Sequence, residues 1–290
     1  MDNILYNLHI MWYESKMINE TLDSLQQALE HTTIPVTIKV CINLQTYLEE
    51  PVEGTVEDMI VEFISHPVLE NADIIYKTNA ESFYNVGDWR REVYDSEAKY
   101  TVWGESDCLI PANYFEILSN LSITEPHTLS LASRKMWDST WDIVEHPWIH
   151  KFPRNGPAIH PWQAVPPFNC ADYIDVDQLN NFNNQYEVVI KKLPVCKVDG
   201  SMLALSGKLP TPFIAPKQHF CGEDTCAAIF FSIKKIPQYH IATIIKGHNY
   251  SHPRKRTNTK ATRQDDAYKN MKQLCEQYMY EFIATTTNIN

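Results

Sequence analysis

The chain has 290 residues, enough for one large domain or two small ones with a sizeable buried core. Hydrophobic residues make up 44% and charged residues 21%, which excludes wholesale disorder and fibrous repeats. With 25 basic against 36 acidic side chains the formal net charge is −11, so the chain as a whole is no polyanion binder. The charge is uneven: residues 1–125 hold 22 acidic and 6 basic side chains, whereas Lys246–Arg263 holds six basic and no acidic ones.

Ile4–Trp12 is a strand-length apolar run interrupted only by Asn7 and His9. After the loop Tyr13-Glu14-Ser15, apolar residues at Ile18, Leu22, Leu25 and Leu29 recur at helical spacing. Pro35 ends that stretch, and the β-branched run Val36–Ile42 reads as a strand. A strand, helix and strand in this order form a βαβ unit, which implies a parallel sheet. The same alternation predicts a helix at Val56–Ser65, a strand at Ala72–Lys77, a helix carrying Trp89-Arg90-Arg91, and a strand at Tyr100–Trp103. An acidic turn, Gly104-Glu105-Ser106-Asp107, and a helix at Ala112–Leu121 complete this first half. Residues 126–217 hold many of the 17 prolines and several aromatic clusters, and read as irregular backbone with short strands such as Tyr186–Lys191. A helix at Thr225–Lys235, a strand at Tyr239–Ile245 and a closing helix at Gln264–Ala284 follow. The expected fold class is α/β, a mixed sheet flanked by helices with an irregular aromatic-rich segment. It is expected to form one compact domain, organised as 1–125, 126–255 and 256–290.

No apolar run approaches the roughly 18 residues of a membrane span. The opening MDNILYNLHIMWYES has no basic region or small-residue cleavage site, so neither a membrane partner nor a secretory signal is expected. Seven scattered cysteines without a CxxC read as buried thiols in a reducing compartment, and the expected location is a cytoplasm. The oligomeric state is left open.

The acidic turn is the most informative feature. A strand running into Glu105 and Asp107, then Pro111 and a helix, puts two carboxylates at the carboxyl end of a strand, where open α/β sheets bind ligands. Two oxygen ligands on a tight turn suit a hard divalent cation that can bridge a diphosphate. The plain alternative is an acidic loop whose aspartate caps the next helix.

This layout resembles family-two nucleotide-sugar glycosyltransferases of GT-A fold, in which a strand ends in a DxD-type metal motif; here the motif is ExD, Glu105-Ser106-Asp107. Leu8–Leu25 is similar to the family's opening strand, loop and N-x-x-L-x-x-S-L helix, and Asn85-Val-Gly87-Asp-Trp-Arg90-Arg91 resembles its nucleotide-side segment. Cys221-Gly222-Glu223-Asp224 is similar to its G-E-D motif. The resemblance spans Ile4–Leu118 and returns at Gly222–His252.

It implies a metal-dependent, inverting transferase with Mn2+ or Mg2+ as cofactor and a nucleoside-diphosphate sugar, UDP-linked, as donor. Asp107, Glu105, His248 and His252 are then the metal candidates. Asp224, with Glu223 beside it, is the catalytic candidate as general base. Tyr13, Glu14, Asn43, Gly87, Arg90, Arg91, Ser106 and Arg254 are the donor-binding set. Glu223 and Asp224 can also simply favour the first turn of their helix. The acceptor is a saccharide or glycan, or a hydroxymethylated DNA base as in phage or viral DNA-modifying enzymes. In that last case the location is the host cytoplasm, the basic run meets phosphates, and Trp137, Trp141, Trp148 and Trp162 stack on a flipped base. A catalytically inactive nucleotide- or sugar-binding module is the alternative. The basic run Lys246–Arg263, poor in apolar anchors, is expected to be a mobile lid over the diphosphate.

Overall fold

The computed structural model describes residues 3–15, 18–45, 65–78, 84–135, 175–192, 200–209, 222–248 and 253–264, with a few positions beyond. Most of the expected helix at Val56–Ser65, the tryptophans at 137, 141, 148 and 162, His252 and nearly all of the expected closing helix lie outside the described residues.

Strand β1 (Ile4–Met11) leads through a 3-10 turn (Trp12–Glu14) into helix α1 (Ile18–Glu30) and strand β2 (Val36–Asn43). Helix α2 (Pro67–Glu70), strand β3 (Asp73–Lys77), helix α3 (Val86–Glu92) and strand β4 (Tyr100–Trp103) follow. Next come strand β5 (Cys108–Leu109), helix α4 (Tyr114–Asn120), strand β6 (Thr128–Lys135), helix α5 (Val176–Asn183) and strands β7 (Ile190–Lys192) and β8 (Leu203–Ser206). Helix α6 (Glu223–Ile233), strand β9 (Gln238–His248) and helix α7 (Pro253–Gln264) close the described chain.

Among the described residues nine strands form one sheet in the order β3-β2-β1-β4-β8-β6-β9-β5, with β7 also on β9. The first four strands are parallel, β8 is antiparallel to both β4 and β6, and β6 and β9 are parallel. The α/β class and the mixed sheet flanked by helices are therefore as the sequence predicts.

The sheet is covered on both faces, which explains why β1 and β4 are apolar almost throughout. On one face Ile4, Tyr6, Leu8 and Ile10 pack with Ile18, Leu22, Leu25 and Ala28 of α1 and Phe115 and Leu118 of α4. On the other, Trp103, Leu203 and Leu205 pack with Ala227, Ala228 and Phe231 of α6. Each such aliphatic side chain taken from water contributes roughly 1.5–3 kcal/mol.

Three expectations are corrected. The segment read as irregular with short strands contains the eight-residue strand β6 and the helix α5 as well as β8. The strand expected at Tyr186–Lys191 is reduced to β7, because Tyr186, Val188 and Val189 lie exposed before the pairing with β9 begins. The described parts of the basic run are regular where loose backbone was expected. Lys246 lies on β9 with its ammonium buried and donating to the Ser201 carbonyl and hydroxyl, and Pro253–Gln264 is helical. Asn258, Thr259 and Thr262 of that helix are buried.

Candidate active site at the β1–β4 crevice

Chain order runs outward from β1 through β2 to β3 and then returns to place β4 on the other side of β1. This reversal opens a crevice at the carboxyl ends of β1 and β4, the position where open α/β sheets bind ligands. Glu14 follows β1 there, and Glu105, Ser106 and Asp107 follow β4.

The two segments are tied together tightly. The Gly104 amide donates to the Asn7 carbonyl at 2.7 Å, and a Cβ at Gly104 would fall on the Tyr6 hydroxyl and lie 2.9 Å from the Asn7 oxygen. Only glycine lets β4 leave the sheet so close to β1. Buried Glu14 accepts from its own turn, at Met11 N (2.9 Å), and from Ser106 Oγ (2.6 Å). Helix α1 fixes the same turn from beneath: Thr21 Oγ1 donates to the Ser106 carbonyl at 2.8 Å, and Ser24 Oγ accepts from Ile110 N at 3.0 Å. Burial pushes the Glu14 carboxyl above its ordinary range, opposed by Lys255 and by its hydrogen bonds.

Asp107 is 6% exposed, and Lys255 Nζ of α7 stands 3.1 Å from its Oδ2 and 3.9 Å from Glu14 Oε1. Burial lowers the pKa of this ammonium, but Asp107, Glu105 and Glu14 together outweigh burial and hold it above its usual value. One residue earlier, the Arg254 guanidinium lies over the Trp12 ring, 4.8 Å from its centroid.

Arg90 organises the other wall. Its guanidinium is 1% exposed, lies 4.5 Å from the Trp103 ring centroid, and donates to the Gly200 carbonyl at 2.8 Å. It also donates to Glu223 and stands 3.6 Å from Glu105 Oε1. Burial raises the Glu223 carboxyl to about 7; Arg90 opposes this, while Asp224 and Glu105 add to it. Asp224 reaches the same place: a Cβ built at Gly200 would lie 3.2 Å from Arg90 Nη1, 3.3 Å from Asp224 Cβ and 3.4 Å from Glu105 Oε1. Both acids also lie in the first turn of α6, the position that favours negative charge.

Some of the expected site residues are committed elsewhere. Asn43 Nδ2 donates to the Tyr84 carbonyl (2.6 Å) and its Oδ1 accepts from Gln45 N (3.0 Å), so it fastens the entry to α3. Its amide is also 3.3 Å from His9 Nε2, and burial lowers the His9 pKa to about 3, keeping that ring neutral. Arg91 pairs with Asp88 within α3 at 2.7 Å, Gly87 is buried in the same helix, and Tyr13 is buried against Trp12. His248 is the backbone partner of Cys108 where β5 meets β9, one residue from Asp107.

A divalent cation does not fit the described side chains as they stand. Asp107 is held by Lys255 and Glu105 faces Arg90, and no group of three or more His, Cys, Asp or Glu among the described residues is arranged to hold a metal ion. Gly200, Thr21 and Ser24 are the participants that sequence reasoning missed. Lys255 was expected as one of the six basic residues of the run over the diphosphate, without its pairing to Asp107.

No protein-family model and no curated relative matches the chain. Among solved structures the chain is similar to a mycobacterial protein, with 12% identity and a TM-score of 0.47 over 88% of this chain and 70% of that one. It is also similar to residues 1–349 of TarS from S. aureus, with 12% identity and a TM-score of 0.40 over 87% of this chain and 59% of that one. A third likeness is the glycosyltransferase GlyE of Streptococcus pneumoniae, with 12% identity and a TM-score of 0.30 over 47% of this chain and 31% of that one. At such distances the chemistry of this crevice rests on its own side chains. No helix among the described residues is long and apolar enough to cross a membrane.

Proposed function

We propose that the chain is an inverting glycosyltransferase of GT-A type that moves a hexosyl or pentosyl group from a nucleoside-diphosphate sugar, UDP-linked, to an acceptor hydroxyl. The observation that carries this reading is what meets at the β1–β4 crevice. On α7, Lys255 faces the turn after β4 and Arg254 lies over Trp12 after β1, and the acid pair at the start of α6 brings Asp224 Cβ to Gly200 near Glu105. A diphosphate leaving group needs the first, and a hydroxyl nucleophile needs the second.

In this reading residues 1–125 form the donor half and 126–255 the acceptor half. Asp224, half-buried where Glu223 is buried, takes the proton from the acceptor hydroxyl. The new C–O bond forms at the anomeric carbon as the bond to the diphosphate breaks, and Lys255 and Arg254 stabilise the charge that develops on the departing oxygen. Arg90 holds Glu223, Glu105 and the Gly200 carbonyl in register with Asp224. Manganese or magnesium at Asp107 is the competing source of positive charge.

The acceptor is a saccharide or glycan, or a hydroxymethylated base in DNA. The experiment is to incubate the full chain with a panel of nucleotide sugars and each acceptor class, and to measure diphosphate release and transfer. Release that requires an acceptor supports the reading, and a DNA acceptor adds affinity that falls steeply with salt. Donor binding without turnover makes the chain an inactive sugar-nucleotide module, and absence of donor binding removes the reading.

A further inference from the structure

Lys255 occupies the place at Asp107 where the ExD turn would otherwise hold a metal. Its Nζ stands 3.1 Å from Asp107 Oδ2 and 3.9 Å from Glu14 Oε1, and its side chain is only 17% exposed. The ammonium has three N–H donors. Asp107 takes one, and the Glu14 distance is too long for a hydrogen bond, so donor capacity remains toward the crevice.

The delivery of this lysine is as informative as its distance. A lysine on a floppy surface segment would lose rotamer entropy on reaching Asp107 and would swing away as readily. Lys255 comes from a seated helix. Asn258, Thr259 and Thr262 of α7 are 1%, 3% and 1% exposed, and Arg254 is stacked on Trp12 at the end of β1. The charge therefore belongs to the architecture. A dication bound at Asp107 would sit against this ammonium and compete with it for the same oxygen. The other member of the acidic turn is engaged too, since Glu105 Oε1 is 3.6 Å from Arg90.

We propose that Lys255 is the resident cation of the crevice and binds the diphosphate of the donor directly, so that donor binding does not require a divalent metal. This rests on the reading of the crevice as a nucleotide-sugar site and departs from the metal that the ExD resemblance implies. Asp107 then serves to orient the ammonium, with Glu14 as a second, longer-range partner. Buried charges of this kind need such partners.

The test is calorimetric titration of the full chain with UDP, GDP, CDP and ADP, in EDTA and separately in MnCl2, using wild type, Lys255→Gln and Lys255→Arg. The expected result is binding of one diphosphate in EDTA that changes less than about threefold with Mn2+. Lys255→Gln lowers that affinity tenfold or more, and Lys255→Arg restores most of it. Binding that appears only with Mn2+ and survives Lys255→Gln overturns the proposal while leaving the nucleotide site in place. Binding of no diphosphate under either condition overturns the site itself and this inference with it. The wild-type comparison of EDTA with Mn2+ needs no substitution, so it decides the matter even if Lys255→Gln does not fold.

Discussion

Replacing Arg90 with methionine keeps the bulk of the side chain against Trp103 but removes a guanidinium that is 1% exposed. Two buried acceptors lose their donor at once, the Glu223 carboxylate and the Gly200 carbonyl at 2.8 Å. Breaking a buried pair by removing one partner costs about 3–5 kcal/mol, because the remaining charge stays desolvated. The Glu223 carboxyl is already raised to about 7, so it can escape part of this cost by taking up a proton. The loss should therefore be larger at pH 8 than at pH 5.5. Equilibrium urea unfolding at both values measures it, with Glu223→Gln and the double variant completing a cycle. The double variant should be less destabilised than the two single losses predict together, since Glu223→Gln removes the stranded charge. An Arg90→Met loss below about 1 kcal/mol at pH 8, or strict additivity in the cycle, would refute the pairing as the organiser of this wall.

Glu223→Gln alone should change how stability depends on pH. The folded protein holds a proton on Glu223 between its ordinary 4.5 and about 7 that the unfolded chain releases, so stability falls as pH rises through that window. Thermal unfolding followed from pH 4 to 8 should show this slope in wild type and a shallower one in the variant; identical slopes would remove the assignment. Ser106→Ala takes the 2.6 Å donor from buried Glu14 and should cost about 1–3 kcal/mol in urea unfolding, with no loss disproving that coupling. Asp224→Asn should leave UDP affinity unchanged by calorimetry but lower transfer about 10² to 10⁴-fold, and an undiminished rate would move the base to another group.

Where the sequence carried the fold, it did so through periodicity. Ile18, Leu22 and Leu25 recur at helical spacing and are all buried, and the run Tyr100–Trp103 is bounded as predicted because apolar content and the following Gly104 both mark its end. Strands β5 and β8 escaped for a physical reason. Cys108–Leu109 is too short to show alternation, and Leu203–Ser206 is stabilised by its neighbours β4 and β6 more than by its own composition. Within the site, Glu105, Ser106, Asp107, Glu14, Arg90, Glu223 and Asp224 do gather at the β1–β4 crevice or its wall. The partners of these acids were not legible, because Lys255 and Asp107 lie far apart in sequence and ion pairing leaves no local pattern. Asn43 shows the converse: its place at the end of β2 suits a ligand-binding residue, yet its amide is spent on Tyr84 and Gln45.

The adjacent pair Glu223-Asp224 illustrates how the fold divides labour that a tripeptide leaves undivided. Consecutive residues on a helix point about 100° apart, so two neighbouring acids in a first turn need not be equally enclosed. Glu223 turns inward onto Arg90, where burial and the neighbouring acids raise its carboxyl to about 7 despite the guanidinium. An acid so enclosed is suited to positioning, because moving toward a substrate would strand Arg90 without its partner. The Asp224 Cβ lies on the Gly200 side of the crevice, and the residue is half-buried where Glu223 is buried. A general base must reach an incoming hydroxyl and pass its proton on. Of the two, Asp224 keeps that access while Glu223 is enclosed behind Arg90, and this is the ground on which Asp224 is the proposed base.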